Sequence, residues 1–170
     1  MAAGDTNAAY NLGNQLAGQP GREAEAEEAY RVGMAAGDTD AAYNLGNLLD
    51  EQPGREGEAE AAYRAAMADD HPAAVFNLGY LLAEQPGREG EAEAAYRTAM
   101  AAGHAGAANN LGNLLAGQPG REGEAEAAYR VGMAAGDAVA SYNLGNLLAR
   151  QPGREGEADE AFDLAARLRR

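Results

Sequence analysis

The chain has 170 residues, of which 27 are acidic and 13 basic, so its net charge at pH 7 is −14. A field of that sign repels phosphate backbones and anionic lipid surfaces, which excludes nucleic acid and membranes as expected partners. Cysteine is absent, so a disulfide framework and thiolate chemistry are excluded as well. The sequence has no apolar run long enough to cross a bilayer, and its first twenty residues argue against a signal peptide. We therefore expect a cytoplasmic protein.

One sequence unit recurs every 33 residues from one end of the chain to the other. Asn-Leu-Gly occurs at 11–13, 44–46, 77–79, 110–112 and 143–145, and Gln-Pro-Gly-Arg occurs at 19–22, 52–55, 85–88, 118–121 and 151–154. A fixed period of this length is typical of a solenoid, in which each unit buries its apolar face against its neighbours. We predict one repeat domain over residues 1–170, with units of about 5–37, 38–70, 71–103, 104–136 and 137–170.

The second unit illustrates the elements that each repeat contains. Asp38 or Thr39 can cap a helix that continues to about Gln52, where Pro53-Gly54 ends it. A second helix is predicted from about Arg55 to Ala68, with its acidic residues near the start as the helix dipole favours. Apolar residues at helical spacing predict two buried stripes, Ala42, Leu45, Leu48 and Leu49 in the first helix and Ala59, Tyr63, Ala66 and Met67 in the second.

A glycine interrupts the first helix of every unit, at Gly13, Gly46, Gly79, Gly112 and Gly145. Glycine costs about 1 kcal/mol relative to alanine inside a helix. Its recurrence indicates that the partner helix comes too close at this point for a Cβ atom.

Asn-Leu-Gly-Asn before the turn, followed by Glu-Ala and a tyrosine in the second helix, is similar to the tetratricopeptide repeat. The links between units, Ala-Ala-Gly-Asp followed by alanine, look more like those of Sel1-like repeats. The resemblance covers the whole chain and implies an all-α fold. It implies an α-solenoid of five antiparallel helix-turn-helix repeats that forms a right-handed superhelix.

In tetratricopeptide proteins the first helices line a concave groove, and in some of them an asparagine ladder along that groove holds an extended peptide backbone. The resemblance implies the same role for the asparagine that precedes Leu-Gly, since a carboxamide offers both a donor and an acceptor. The candidate peptide-binding residues are that asparagine in each unit (Asn11, Asn44, Asn77, Asn110 and Asn143), the column after glycine (Asn14, Asn47, Tyr80, Asn113 and Asn146) and an aromatic column (Tyr10, Tyr43, Phe76, Asn109 and Tyr142). Alternatively, the first of these columns bonds to a neighbouring helix and is structural.

Catalytic and metal chemistry is not expected from these residues. His71 and His104 fall one repeat apart, but no third ligand accompanies them, and the corresponding aspartates of other units indicate a helix-start position. The Glu-rich second helices are interpreted as solvated surface. Polar replacements at Gln15, Glu28 and Glu160 are those expected of terminal repeats. We expect no enzyme, no cofactor and no metal.

Two functions stay open at this point. The first is a scaffold that binds a neutral or basic protein or peptide along the groove. The alternative is a structural, recently expanded or designed array without a specific ligand. The near-identity of the second helices favours the array, whereas variation at Phe76, Tyr80 and Asn109 favours the binding scaffold. The oligomeric state and the sequence of the partner do not follow from these residues.

Overall fold

The computed structural model describes residues 4–69 and 71–169, with side chains at 7–68 and 71–169. Within these residues the regular structure is helical, with ten α-helices and one short 3-10 turn. The predicted all-α architecture of helix-turn-helix repeats is confirmed. The repeat boundaries placed at 70 and 170 lie outside the described residues.

Backbone contacts divide the chain into two compact units, each of which contains more than one 33-residue repeat. The first unit is Met1–Leu81 and the second unit is Leu82–Arg170. The first contains α1 to α4 and most of α5, and the second contains α6 to α10. The bounds are α1 Gly4–Ala17, α2 Glu23–Ala35, α3 Thr39–Asp50, α4 Glu56–Ala66, α5 Pro72–Ala83, α6 Glu89–Ala101, α7 Ala107–Ala116, α8 Glu122–Ala134, α9 Ala138–Leu148 and α10 Glu155–Leu168. In the first unit α1 packs on α2 and α3 on α4, and in the second α7 packs on α8 and α9 on α10.

Side-chain caps begin several of these helices. The Asp38 carboxylate accepts a hydrogen bond of 2.9 Å from the Ala41 amide at the start of α3, as the sequence predicts. At the corresponding position before α5, the His71 Nδ1 atom accepts one of 3.2 Å from the Ala74 amide. The interpretation of this histidine as a helix-start residue is thereby confirmed.

The helices of the second repeat end earlier than predicted. The first stops at Asp50 and the second at Ala66, after which Met67–Asp69 forms a 3-10 turn. Between the two helices Gly54 has a φ of +87°, which glycine adopts without strain and which turns the chain back. Proline at 53 cannot continue a helix, and the hairpin closes within a few residues.

A glycine of the first helix faces an aromatic ring of the second helix in the same hairpin. A Cβ atom at Gly46 would lie 2.5 Å from the ring of Tyr63, and one at Gly145 would lie 2.6 Å from the ring of Phe162. Gly13 and Gly112 meet Tyr30 and Tyr129 in the same way. The predicted close approach is therefore confirmed at these four sites, although the neighbour is a side-chain ring and not the partner backbone.

Small residues and leucines fill the interior of each hairpin. In the second repeat Ala42, Leu45 and Leu49 of the predicted first stripe are buried, as are Ala59, Tyr63 and Ala66 of the second. The prediction was wrong for Leu48 and Met67, which are only half-buried. Apolar periodicity alone does not distinguish the fully buried members of a stripe from the half-buried ones.

The glutamates and arginines of the second helices form ion-pair quartets across consecutive repeats, which the interpretation of these faces as solvated surface did not include. In the first quartet, Arg55 lies 2.7 Å from Glu27 of the preceding repeat and 2.7 Å from its own Glu58. Arg31 completes the quartet through 2.9 Å to Glu27 and 2.6 Å to Glu58. Two further quartets in the second unit repeat the arrangement: Glu93, Arg97, Arg121 and Glu124, then Glu126, Arg130, Arg154 and Glu157.

Charge pairing in the quartets perturbs the carboxyl groups at their centre. Hydrogen bonding to Arg55 lowers the pKa of Glu27 to about 2, and hydrogen bonding to Arg121 lowers the pKa of Glu93 to about 2. Arg55 and Arg121 each belong to the repeat that follows the glutamate they bind. The quartets therefore explain why the second-helix sequence is almost invariant between repeats.

Candidate peptide-binding groove

The asparagines of the Asn-Leu-Gly column are joined by hydrogen bonds to the preceding repeat. In the first unit the Nδ2 atom of Asn44 donates to Oδ1 of Asn14 at 2.8 Å, and Nδ2 of Asn77 donates to Oδ1 of Asn47 at 2.8 Å. The same bond recurs in the second unit from Asn143 to Asn113 at 3.1 Å. The amino group of this column thus connects neighbouring first helices, as the structural alternative requires.

A tyrosine hydroxyl shares each of these acceptors. Tyr30 donates to Oδ1 of Asn14 at 2.8 Å, Tyr63 to Oδ1 of Asn47 at 3.0 Å and Tyr129 to Oδ1 of Asn113 at 2.8 Å. Burial raises the pKa of all three tyrosines, so the hydroxyls stay protonated and act as donors at neutral pH. Each Oδ1 atom therefore accepts two hydrogen bonds, which fills its capacity.

Half of each carboxamide remains for other partners. Within the described residues Asn44 uses only its amino group and Asn47 only its oxygen, which leaves the Oδ1 of Asn44 and the Nδ2 of Asn47. A peptide group needs one donor and one acceptor from its partner. The two residues together supply that pair, although neither supplies it alone.

The two asparagines line an open groove in the first unit. Its walls consist of Asn14, Ala17, Tyr30, Asn44, Asn47, Leu48 and Glu51. Leu48 was predicted to be core, yet it gives this groove its apolar surface, and Glu51 gives it a carboxylate. The polar Gln15 in the Leu48 column is the sequence signal that this position is not uniformly buried.

The asparagine pattern differs in the second unit. Asn109, which replaces an aromatic residue, accepts from Nδ2 of Asn143 at 2.9 Å and donates to Oδ1 of Asn110 at 3.3 Å. Asn143 therefore bonds to two carboxamides of the preceding repeat. Asn146, the last member of its column, falls opposite a phenylalanine that has no hydroxyl to donate.

Residues of the aromatic column are partly covered by their own chain. Tyr43 stacks on His71 with ring centroids 4.6 Å apart, and His71 Nε2 lies 3.4 Å from an Asp40 carboxylate oxygen. Tyr142 packs at 5.5 Å on Phe162. The guanidinium of Arg169 lies 5.4 Å from the Tyr142 ring centre. Tyr10 and Phe76 are half-buried.

Exposure ranks the remaining candidates. Tyr80 is 52% exposed and is the most accessible aromatic candidate. Asn11, Asn14 and Asn113 are exposed, whereas the other asparagine candidates are half-buried. The most exposed aromatic candidate thus belongs to the column after glycine and not to the partly covered aromatic column.

Residues 4–69 and 71–169 contain no cluster of three or more His, Asp or Glu side chains that could hold a metal ion. Over the same residues no helix is both long enough and apolar enough to traverse a bilayer. Desolvation lowers the pKa of His104.

Comparison with solved structures places the helical hairpins among known repeat proteins. MamA protein matches with a TM-score of 0.75 at 20% identity, over 98% of this chain and 93% of that chain. A Sel1 repeat protein from Oxalobacter formigenes matches with a TM-score of 0.74 at 24% identity, over 97% of this chain and 70% of that chain. The chain has the Sel1-like helical-repeat fold. The predicted tetratricopeptide architecture with Sel1-like links is thus confirmed at the level of the fold.

A third match carries the same fold in a longer chain. It is c5321, a protective antigen present in uropathogenic Escherichia coli strains and described as displaying an SLR fold, with a TM-score of 0.71 and 22% identity. The match covers 97% of this chain but 44% of that one. No protein-family model and no curated protein matches this sequence. At these identities the Sel1-like fold is established, while function has to be argued from the residues themselves.

Proposed function

We propose that the chain is a protein-interaction scaffold that holds an extended peptide segment in the groove of its first unit. The Sel1-like fold supports a binding role in general, because stacked helical repeats present extended surfaces in place of enclosed catalytic pockets. The observation that supports the finer proposal is the hydrogen bonding of Asn44 and Asn47. In each of these carboxamides one polar atom bonds to a neighbouring repeat, and the other remains for a ligand.

The chemistry of the groove defines the kind of segment that it accepts. The Oδ1 of Asn44 accepts a hydrogen bond from a ligand amide, and the Nδ2 of Asn47 donates one to a ligand carbonyl, so the backbone is held without reading its side chains. Leu48 contacts one apolar side chain of the ligand. Glu51 and the net charge of −14 favour a neutral or basic segment over an acidic one.

Tyr80, which lies in the first unit, distinguishes the third repeat from the other four. It stands where four other repeats carry asparagine, and half of its surface is exposed. An aromatic face attracts a guanidinium with about 0.5–2 kcal/mol, and the contact between Arg169 and Tyr142 is an instance within the chain itself. We assign Tyr80 to side-chain selection, with arginine or an apolar residue as the preferred neighbour.

The test is a selection of random peptides displayed on phage against the full chain, followed by titration of the enriched peptides. Leu48→Gln reproduces the residue found at Gln15, and we expect it to weaken binding about tenfold, by loss of roughly 1.4 kcal/mol of apolar contact. Tyr80→Asn restores the residue of the other four repeats and should change which peptides are enriched.

The matched control is Ala61→Glu, on an exposed position of α4 where the first and last repeats already carry glutamate. It should leave binding unchanged. A selection that enriches no peptide, or peptides whose affinity is equal for the parent and for Leu48→Gln, would support the alternative of an array without a specific ligand. The cytoplasmic location stays a prediction.

A further inference from the structure

The first repeat exposes an apolar face that is covered in later repeats. Leu12 is 50% exposed, whereas its counterparts Leu45 and Leu111 are each 1% exposed. Around Leu12 the residues Ala9, Leu16, Ala29 and Val32 line a shallow groove, with Glu25 and Glu28 at its rim. In the later repeats the equivalent surface of the first helix packs on the second helix of the repeat before it, as α3 packs on α2.

The ion-pair positions on this face are also incomplete. Arg22 occupies the place of Arg55 but pairs with Glu25 on its own helix. Its side chain is 43% exposed, against 26% for Arg55, 28% for Arg121 and 26% for Arg154. Each of the three less exposed arginines receives a glutamate from the preceding repeat. The first repeat thus presents the surface that, in later repeats, contacts the repeat before it. We call this surface the accepting half of the repeat–repeat interface.

The opposite surface, which in earlier repeats contacts the repeat that follows, is the donating half of the interface. Its residues are altered in the last repeat. In each described quartet the preceding repeat supplies a glutamate and, four residues later, an arginine, such as Glu126 and Arg130. The last helix carries Asp159 and Asp163 at these two positions, and both are exposed. It also carries Ala166 in place of Met133, which lies beside Leu144 of the next repeat.

We propose that the exposed face of the first repeat is a docking surface for the last helix of a second copy of this chain, and that Asp163 opposes this docking. In such a head-to-tail contact Asp159 would reach Arg22, which is favourable. Asp163 would meet Glu25, where every described internal interface has an arginine against a glutamate. Like charges in direct contact disfavour association, so the chain as it stands is monomeric.

The contact is of the open, head-to-tail kind. One chain offers its first repeat and receives another chain at its last, so each added copy leaves a new free end and the series has no natural stop. A charge reversal at one position of the donating helix is sufficient to oppose every step of that growth. The three altered residues on α10, Asp159, Asp163 and Ala166, are therefore specificity residues for self-association.

The experiment restores the internal sequence on the last helix of the full chain, with the variant Asp159→Glu, Asp163→Arg and Ala166→Met. Light scattering coupled to size exclusion gives the mass over a range of concentrations. The parent is expected to keep the mass of one chain throughout. The restored variant should show a mass that rises with concentration to at least about twice that of one chain.

A second variant tests the opposite face. Arg22→Glu added to the restored chain places like charges against the new glutamate and should return the mass to that of one chain. The proposal is overturned if the restored variant stays monomeric while circular dichroism shows that it is folded. It is equally overturned if assembly persists with Arg22→Glu, or if the parent assembles to the same extent.

Discussion

Substitution of Gly46 by alanine isolates the contact between a first-helix glycine and a second-helix ring. A Cβ atom at this position would lie 2.5 Å from two carbons of the Tyr63 ring and 3.1 Å from a third. The ring cannot move away freely, because Tyr63 is 1% exposed and its hydroxyl is bonded to Asn47 at 3.0 Å. Either the helices separate or the ring tilts and weakens that hydrogen bond.

The magnitude follows from three contributions. Alanine gains about 1 kcal/mol over glycine from helix propensity. Overpacking in a filled interior costs roughly 1–3 kcal/mol, and loss of the tyrosine hydrogen bond costs about 1 kcal/mol. The net expectation for Gly46→Ala is a destabilisation of about 1–3 kcal/mol. Urea unfolding followed by circular dichroism at the helical band measures it.

Two glycines of the same chain serve as matched controls. Gly57 lies in α4, where an added Cβ atom would have no neighbour within 4 Å, and the first repeat already has Ala24 there, so Gly57→Ala should stabilise by up to about 1 kcal/mol. Gly145→Ala should cost less than Gly46→Ala, because Phe162 is half-buried and has no hydroxyl bond to lose. Equal stability of the Gly46 and Gly57 variants would refute the steric argument.

Three further predictions concern the polar contacts. Asn47→Ala removes an acceptor shared by a tyrosine hydroxyl and a carboxamide, so it should lower the free energy of unfolding by about 1–3 kcal/mol. Asn146→Ala, where the facing ring has no hydroxyl, should cost at most about 0.5 kcal/mol, and urea titration of both variants decides the point. Asp38→Ala removes a helix cap and should cost about 1 kcal/mol in the same assay. Because the pKa values of Glu27 and Glu93 fall from 4.5 to about 2 on folding, their stabilisation is complete above pH 4.5 and is lost as the pH falls towards 2. The urea midpoint should therefore drop across that interval, and a flat profile would contradict the quartets.

The repeat pattern was sufficient to predict the helices, the turns and the glycine contacts, because each depends on residues close in sequence. Asp38 as a cap and Gly54 in the turn follow from local backbone chemistry. Residues in the margin of a helix face were harder to assign. Leu48 satisfied the apolar periodicity, yet its exposure depends on how far the neighbouring repeat extends over it.

Contacts between repeats could not be assigned from the sequence of one repeat alone. The bond from Asn44 to Asn14 spans 30 residues, and the pair of Arg55 and Glu27 spans 28, so both depend on the offset between successive hairpins. That offset is set by packing of the whole helices. The invariance of arginine and glutamate in the second helices is the available signal, but it does not by itself identify which residues pair.

We propose that the groove of the first unit binds peptide backbone through the Oδ1 of Asn44 and the Nδ2 of Asn47, the atoms that do not join repeats. The most direct measurement is a nuclear magnetic resonance titration of the 15N-labelled chain with a display-selected peptide, observing the side-chain amino groups of asparagine. We predict that the Asn47 amino signals shift progressively to saturation, together with backbone amides near Leu48 and Glu51. Saturable binding that leaves these signals unmoved and shifts only the outer faces of α2 and α4 would contradict the claim.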